Sequence, residues 1–360
     1  MSTTPTVANS PTIPIATPHT AGSVAPAGAG TAETLLQLGI HTAESLDVLC
    51  ANEAKKEFIV EGLLAAGAIG ILVGDSGIGK SPLLYQLALC VAAGIPFLGM
   101  RTSKGPVVYL DCENGAVNSQ GMRDCLLRHL GLDECPKNFR SCYEISDINH
   151  LTSVVTAMKP ALVVIDTLRS FDPTAERDNT AAGIFIKSLR RIGKHPKTAF
   201  LLIHHPKKQD GGFFDGVPSL EVTPVIQWSS QACGARALIN QTDVRIGVDH
   251  TTKGDASLVV KANLRVQGDI GPFYLERVLD DDQQAIGYSR LTGVVELLGN
   301  KIQESTLSAL PDAFSFKEAK FSYNRGNQAT TDFLAKCIQL GLVRKPTKGR
   351  YERVSRAEPK

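Results

Sequence analysis

The length, composition and charge of this 360-residue chain limit the classes of protein to which it can belong. A chain of this size can hold two or three domains with full hydrophobic cores. Its formal net charge of +2 predicts no general attraction to nucleic acid or membranes, and no apolar run approaches the roughly 18 residues of a membrane span. Its cysteines include no Cys-x-x-Cys pair, so we predict reduced thiols in a soluble, cytoplasmic protein, with neither a zinc site nor a disulfide framework.

Two segments precede the main domain. Residues 1–32 contain no Asp, Glu, Lys or Arg and are rich in Thr, Ala, Ser, Gly and Pro, a composition typical of a disordered tail. A signal peptide is not indicated, because the segment lacks a basic start and an unbroken apolar core. Residues 33–57 carry leucines and Val48 at helical spacing, which predicts a short helical collar.

An eight-residue motif early in the next segment fits the pattern Gly-x-x-x-x-Gly-Lys-Ser. The apolar run at 69–73 predicts a buried strand before the motif, and leucines at helical spacing predict a helix after it. Backbone amides and the helix N-terminus would then surround a triphosphate, with Lys80 on the β- and γ-phosphates and Ser81 on Mg²⁺. We therefore predict a loop that binds ATP and Mg²⁺. Its residues are Gly74, Asp75, Ser76, Gly77, Ile78, Gly79, Lys80 and Ser81.

Three later apolar runs end in residues capable of chemistry. Alternation of these runs with helical stretches predicts an α/β fold with a doubly wound, mostly parallel sheet. Ligands of such sheets bind beyond the carboxyl ends of the strands, so these residues are predicted to face one nucleotide. Asp166 is the predicted Mg²⁺ partner of Ser81, the alternative being a helix cap. The runs are 107–110, leading into Asp111 and Glu113; 161–165, leading into Asp166; and 200–203, leading into His204 and His205.

The first and third of these strand ends carry predicted roles in hydrolysis. Glu113 is the predicted general base that orients the attacking water, with Asp111 as its rival. The alternative for both is a pair of solvated carboxylates at a strand end. Successive residues of a strand point to opposite faces, so at least one of His204 and His205 is predicted to face the γ-phosphate and sense its loss.

Residues 206–230 are predicted to form a long loop with Lys207 and Lys208 near its start and aromatic residues as far as Trp228. Loops of this length without structure of their own are usually functional or disordered. Lysines and aromatic rings together would hold a single nucleic-acid strand through phosphate charge and base stacking. The alternative is a surface loop that binds no nucleic acid, because acidic residues in the loop reduce its net positive charge.

The pattern changes again in residues 291–360. Three short amphipathic helices and then a basic hairpin at 343–354 predict a small winged helix-turn-helix domain. The segment is locally basic within a nearly neutral chain, so we predict contact with duplex DNA that involves Arg344 and Lys345, with the third helix in the major groove. The alternative is a winged-helix module for contact with a subunit or protein partner.

The ordered series of motifs resembles RecA-like ATPases, and within them the hexameric replicative helicase RepA of plasmids with its relatives in phages and mobile elements. The resemblance covers about 58–278, most of the chain. The phosphate loop alone is shared by many folds, whereas the ordered series is more specific. The matching segments after the loop are Tyr109-Leu110-Asp111-Cys112-Glu113, His204-His205-Pro206-Lys207-Lys208, Gly234-Ala235-Arg236-Ala237-Leu238 followed by Arg245, and Lys261-Ala262-Asn263 followed by Arg265.

The resemblance implies a RecA-like core at 58–290, whose mostly parallel sheet has an antiparallel extension. It implies a homo-oligomeric ring, predicted to be a hexamer, with single-stranded DNA passing through it. An arginine of one subunit would reach the nucleotide of its neighbour; Arg245 is the first choice, and Arg265 with Lys261 the second. The alternative is an arginine that makes an ordinary surface ion pair.

The predicted activity is Mg²⁺-dependent ATP hydrolysis that drives a helicase or another replication protein of a plasmid, phage or mobile element. The alternative is an oligomeric regulatory or DNA-binding switch that hydrolyses ATP slowly and unwinds nothing.

Overall fold

A computed structural model describes residues 36, 40–53, 57–145, 147–205, 219–232, 235–251, 257–292, 298, 301–340, 342–347 and 349–354. The chain divides between Lys55 and Lys56 into two units. In the first unit, helix α1 (Ala43–Glu53) lies within the predicted collar, whereas the tail at 1–32 is outside the described residues. No helix in the described ranges is long and apolar enough to cross a membrane.

The described part of the second unit contains a sheet of nine strands. A separate two-stranded sheet precedes it, formed by β1 (Phe58–Val60) and β2 (Leu64–Ala65). The strands of the large sheet are β3 (Ile69–Gly74), β4 (Val107–Asp111), β5 (Phe139–Cys142), β6 (Leu162–Asp166), β7 (Ala199–His204), β8 (Val244–His250), β9 (Leu258–Leu264), β10 (Gly268–Leu279) and β11 (Ala285–Arg290).

The order of the strands is β11-β10-β9-β8-β3-β7-β6-β4-β5. Strands β8, β3, β7, β6, β4 and β5 pair in parallel, and β9, β10 and β11 add antiparallel pairs at one edge. This arrangement confirms the predicted mostly parallel sheet with an antiparallel extension. The parallel strands next to the centre are buried on both faces, which explains their continuous apolar sequences.

Helices cover both faces of the sheet, as a doubly wound fold requires. Neighbouring side chains of one strand enter two separate cores: Leu72 packs in one, and Ile71 and Val73 pack in the other. The first core includes residues of α2 (Lys80–Ala93) and α3 (Gly115–Leu130). The second includes residues of α4 (Ile148–Met158), α5 (Leu168–Phe171), α6 (Pro173–Arg177), α7 (Asn179–Gly193), α8 (Val225–Ala232) and α9 (Arg236–Gln241).

Strand β7 lies between the strand of the phosphate loop and the strand that ends in Asp166. The register pairs Val73 with His204, and Asp111 with Asp166. The ends of β3, β7, β6 and β4 therefore meet along one edge of the sheet, so the phosphate loop, the histidines and the acidic residues share that edge.

The predicted loop at 206–230 is wrong over its last six residues, 225–230, which are helical. Residues 206–218, which include Lys207 and Lys208, lie outside the described residues, but α8 begins at Val225. Trp228 of this helix is fully buried in the core, packed near Gly247 of β8. Its ring is therefore part of the packing and is not exposed for stacking on a nucleic-acid base.

The C-terminal part of the chain has a small core of its own. It contains α10 (Lys301–Ala309), β12 (Ala313–Ser315), α11 (Phe316–Tyr323), α12 (Asn327–Gln339), β13 (Val343–Thr347) and β14 (Arg350–Arg353). Strand β12 pairs with β14 and extends the terminal hairpin to three strands, an element that the sequence pattern did not predict. Ser315 and Glu318 form a capping box at the start of α11, which fixes the turn from β12 into this helix.

Candidate nucleotide-binding site

The phosphate loop connects the end of β3 at Gly74 to the start of α2 at Lys80. Gly77 and Gly79 have φ angles of 75° and 103°, a region that side chains with a Cβ rarely occupy. Gly79 is also the residue that caps α2, so the chain turns sharply into the helix. The loop amides therefore lie at the N-terminus of a 14-residue helix, an arrangement suited to binding anions.

Lys80 is buried beside three acidic groups. Its side chain is 3% exposed, and its Nζ donates a hydrogen bond to the carbonyl oxygen of Asp75 at 2.7 Å. Burial lowers the pKa of Lys80 to about 8, although Asp75, Asp166 and Glu113 act to raise it. A buried ammonium group next to the amides of the loop is suited to binding the charge of a phosphate group.

Asp166 is fully buried at the end of β6. Its Oδ2 accepts a hydrogen bond from the Tyr109 hydroxyl at 2.7 Å, whereas its Oδ1 has no hydrogen-bond partner in the described part of the chain. Burial raises the pKa of Asp166 to about 6, although hydrogen bonds from Tyr109 and Ser81 lower it. A buried carboxylate oxygen without a partner, close to a serine hydroxyl, fits Mg²⁺, which prefers oxygen ligands.

The raised pKa of Asp166 predicts a measurable pH dependence. Between its ordinary value of 3.8 and about 6 the folded protein binds this proton more tightly than the unfolded chain, so this group makes folding less favourable as pH rises through that range. In metal-free buffer we expect the free energy of unfolding to gain about 1 kcal/mol more between pH 7 and pH 5 in the native protein than in Asp166→Asn. Urea unfolding of both proteins at both pH values measures it.

Binding of Mg²⁺ gives a second test of the Asp166 carboxyl. Because a protonated carboxyl is a poor metal ligand, we expect Mg²⁺-dependent nucleotide binding to weaken below about pH 6. Equal changes in unfolding free energy for the native protein and Asp166→Asn would contradict the assignment of this titration to Asp166.

The two rival carboxylates differ in their surroundings. Asp111 is buried, and its Oδ1 accepts hydrogen bonds from the backbone amides of Glu113 at 3.1 Å and Asn114 at 2.8 Å. Its Oδ2 accepts a hydrogen bond from Ser119, so both oxygens stabilise the start of α3. The Glu113 side chain is 51% exposed, and its Oε2 lies 3.5 Å from Nε2 of His205. The geometry therefore favours Glu113 as the group that is free to accept a proton.

The two histidines at the end of β7 face different neighbours. His205 contacts Glu113, and its pKa is lowered by burial and by Lys80, while Glu113 raises it. His204 is buried, with its Nδ1 3.8 Å from Oε1 of Glu176 on α6. Burial lowers the pKa of His204 to about 4, and neither ring nitrogen has a hydrogen-bond partner among the residues that the structure describes. His204 is therefore neutral at pH 7, and His205 is the histidine that contacts Glu113.

Sequence reasoning missed three side chains near the loop. Tyr109 donates to Asp166; it lies in the segment that resembles the family motif, but the sequence pattern assigns it no role. Arg277 of β10 donates to the carbonyl oxygen of Ile78, and Tyr288 of β11 donates to that of Gly79. These last two pairs are 199 and 209 residues apart in the chain, so no local pattern predicts them.

The structure corrects the first choice of a residue that reaches a neighbouring subunit. Arg245 is 4% exposed, and its guanidinium donates to the carbonyl oxygens of Ile239 at 2.6 Å and Asn240 at 3.3 Å. These bonds hold the C-terminal end of α9, and burial lowers the pKa of this arginine. Arg245 is therefore not presented to a neighbour, because a residue in that role must project from the surface.

The second choices differ from each other. Lys261 is buried, and its Nζ donates to the carbonyl oxygen of Thr223 at 2.8 Å. The Arg265 side chain is 54% exposed, and its Nη2 donates to the carbonyl oxygen of Asn240 at 3.2 Å. Of the two, Arg265 is the exposed cation.

The residues predicted to contact duplex DNA lie on the terminal hairpin. Arg344 is 72% exposed, and its Nε forms an ion pair with Glu352 at 2.6 Å. Lys345 is exposed, with its Nζ 5.4 Å from the centre of the Tyr351 ring. Both cations therefore lie on the surface of β13, although Arg344 is already partly neutralised by its partner.

A nine-stranded sheet of this order, with a phosphate loop at the end of its central strand, defines a RecA-like P-loop fold. Comparison with known proteins agrees with this class: residues 41–211 match a family described as "AAA domain". DNA repair protein RadA from two strains of Mycobacterium tuberculosis is 25% identical over 198 residues, which are 52% of this chain and 37% of RadA. The chain thus spans little more than a third of the length of these curated relatives.

A solved structure is also similar. A KaiC-like protein from the hyperthermophilic archaeon Pyrococcus horikoshii OT3 aligns with a TM-score of 0.40 and 16% sequence identity, over 65% of this chain and 94% of that chain.

Proposed function

We propose that this protein is a Mg²⁺-dependent ATPase that acts on DNA. The observation that carries the proposal is the meeting of three groups at one edge of the sheet. They are the buried ammonium of Lys80, the buried carboxylate of Asp166, one oxygen of which has no hydrogen-bond partner among the described residues, and the exposed carboxylate of Glu113. Phosphoryl transfer needs a cation on the phosphates, a metal ligand and a group that orients water. These three side chains match the three requirements.

In this proposal each group has one role. Lys80 and the loop amides bind the β- and γ-phosphates. Ser81 and Asp166 hold Mg²⁺, which when bound neutralises negative charge on the phosphate oxygens. Glu113 accepts a proton from the attacking water, whose oxygen forms a bond to the γ-phosphorus while the bond from that phosphorus to the bridging oxygen of ADP breaks. The products are ADP and inorganic phosphate. His205 contacts Glu113 and is proposed to sense loss of the γ-phosphate, whereas His204 supports it from the buried side of the strand.

The finer proposal is a RepA-like replicative helicase or replication protein of a plasmid, phage or mobile element. Subunits would form a ring, a hexamer by the family resemblance, with Arg265 reaching the nucleotide of the neighbouring subunit. The exposure of Arg265 supports this choice over Arg245. Single-stranded DNA would pass through the ring, and Lys207 and Lys208 are proposed to contact it.

The C-terminal part supports a second contact with DNA. Its order of helix, strand, two helices and hairpin is that of a winged helix, which we propose as its fold type. Arg344 and Lys345 on the hairpin would contact duplex phosphates. The name of the relative RadA, a DNA repair protein, also favours DNA as the partner.

A contact between the C-terminal part and the ATPase core favours the alternative, an ATP-dependent regulatory switch without helicase activity. Nζ of Lys336 on α12 lies 3.5 Å from Oε1 of Glu221 and 5.5 Å from the centre of the Tyr274 ring. Both partners belong to the core, and Tyr274 is a residue of β10. A nucleotide-dependent change in the position of these core residues would therefore alter their contacts with α12.

Two measurements separate the candidates. For the helicase we expect single-stranded DNA to raise the ATPase rate severalfold and the protein to unwind a forked duplex only with hydrolysable ATP. Lys80→Ala, as a matched control, should do neither. The switch should show neither effect, while still binding duplex DNA in a manner that substitutions of Arg344 and Lys345 weaken. No ATPase activity in any condition would contradict both.

A further inference from the structure

The outer side of the phosphate loop is contacted by the antiparallel strands β10 and β11. Nη2 of Arg277 donates a hydrogen bond to the carbonyl oxygen of Ile78 at 3.2 Å. The Tyr288 hydroxyl donates a hydrogen bond to the carbonyl oxygen of Gly79, also at 3.2 Å. Arg277 also hydrogen-bonds the Tyr288 hydroxyl, so the two side chains form one connected network. Two successive peptide groups of the loop are thus held from outside.

Peptide geometry makes these two contacts relevant to phosphate binding. A trans peptide group is planar, with its C=O and N–H pointing in opposite directions. The carbonyl of Ile78 shares its peptide group with the amide of Gly79, and the carbonyl of Gly79 shares its own with the amide of Lys80. The Gly79 carbonyl also accepts a hydrogen bond from the Leu83 amide of α2 at 3.2 Å. Contacts that hold both carbonyls therefore fix the direction of the amides of Gly79 and Lys80, which belong to the loop that would bind a phosphate.

The position of Tyr288 is itself fixed by the helix that follows the loop. The side-chain amide of Gln86 on α2 donates to the carbonyl oxygen of Tyr288 at 2.9 Å and accepts from the backbone amide of Tyr288 at 2.9 Å. His129 on α3 contacts the same carbonyl oxygen at 3.1 Å. Strand β11 is therefore joined to both helices of this face, and Tyr288 is buried.

The fit between Tyr288 and the loop is close. A Cβ added to Gly79 would lie 1.8 Å from the Tyr288 hydroxyl oxygen. Gly79 is therefore needed for the approach of this hydroxyl as well as for its φ of 103°. Any movement of β11 away from α2 would break a contact with the loop itself.

We propose that Arg277 and Tyr288 are positioning residues that keep the phosphate loop in its nucleotide-binding conformation. They act through loop carbonyls and do not contact substrate. The proposal deepens the proposed function and rests on it, because it assumes that the loop binds a nucleotide phosphate. It also assigns a role in the nucleotide site to the antiparallel extension, whose strands are far from β3 in the order of the sheet.

The test uses Tyr288→Phe, which keeps the buried ring and removes the hydroxyl, and Arg277→Gln, which alters a half-buried side chain. Arg128→Gln is the matched control, because it breaks an ion pair with Asp280 on the turn between β10 and β11 and does not contact the loop. We expect each loop variant to weaken MgADP binding about 3- to 10-fold and to raise KM for ATP similarly, with kcat within about 2-fold. The control should change neither value, and all three should share a Tm within about 3 °C.

Hydrogen exchange of the peptide covering residues 75–84, measured without nucleotide, separates this proposal from the proposed function. Both loop variants should exchange about 3- to 10-fold faster than the native protein and Arg128→Gln. Failure of the native protein to bind MgADP would contradict the proposed function. The exchange rates would still show whether Arg277 and Tyr288 hold the loop. If the native protein binds MgADP and both variants match the control in exchange and affinity, the positioning role is wrong and the proposed function stands.

Discussion

Glu113→Gln is expected to lower kcat for ATP hydrolysis at least about 100-fold, while the Kd for MgATP changes less than about 3-fold. Gln has nearly the same shape as Glu but cannot accept the proton of the attacking water. The side chain is half-exposed and contacts His205 at its tip, so the substitution leaves the phosphate loop and the packing of β4 in place. Steady-state phosphate release measures the turnover, and titration with a fluorescent ATP analogue measures the affinity.

Asp111→Asn is the matched control for this prediction. Because Asp111 accepts hydrogen bonds from two backbone amides and from Ser119, we expect this variant to lose thermal stability. The folded protein should still turn over ATP. The reverse pattern, with turnover lost in Asp111→Asn and kept in Glu113→Gln, would transfer the role of general base to Asp111.

Lys80→Ala is expected to raise the Kd for MgATP at least about 100-fold, which leaves no binding at ordinary concentrations. The substitution removes the buried cation from a site that also contains Asp166 and Glu113. A triphosphate would then face two carboxylates without a compensating charge. Calorimetric titration measures the loss, and Lys197→Ala is the control, since that lysine is half-exposed and pairs with Glu57. Native affinity in Lys80→Ala would exclude the predicted phosphate loop.

Lys80→Ala also tests the proposal that Arg265 reaches the nucleotide of a neighbouring subunit. Subunits carrying Arg265→Ala and subunits carrying Lys80→Ala should each be inactive alone, and mixing them should restore part of the activity, because some sites then combine an intact loop with an intact arginine. The absence of any rescue would count against Arg265. Arg245→Ala is expected to lower Tm instead, since its buried guanidinium holds the end of α9.

The phosphate loop and the edge it occupies could be predicted from short stretches of sequence. Each signal lies within a few residues: an apolar β-branched run, a glycine-rich turn and a helix with regular leucines. The same holds for Asp166 and Glu113, which come directly after buried strands. The rule that parallel strands present their carboxyl ends at one edge then brought these separate signals together.

Predictions that depended on exposure were less successful. Trp228 and Arg245 were expected to project from the protein, but both are buried. An aromatic ring or an arginine is compatible with a surface role and with a packed role, and sequence spacing does not distinguish the two. The neighbours that bury them, such as β8 beside α8 and the end of α9, are defined only when the chain is folded.

By itself the sequence determined the α/β class, the phosphate loop and the acidic strand ends, because those features are encoded by neighbouring residues and their periodicity. The tertiary structure decided the order of the strands, the bond between Tyr109 and Asp166, and the contacts of Arg277 and Tyr288 with the loop. Those features join residues from 57 to 209 positions apart. Such contacts follow from the order of the strands in the sheet, and local patterning carries no information about that order.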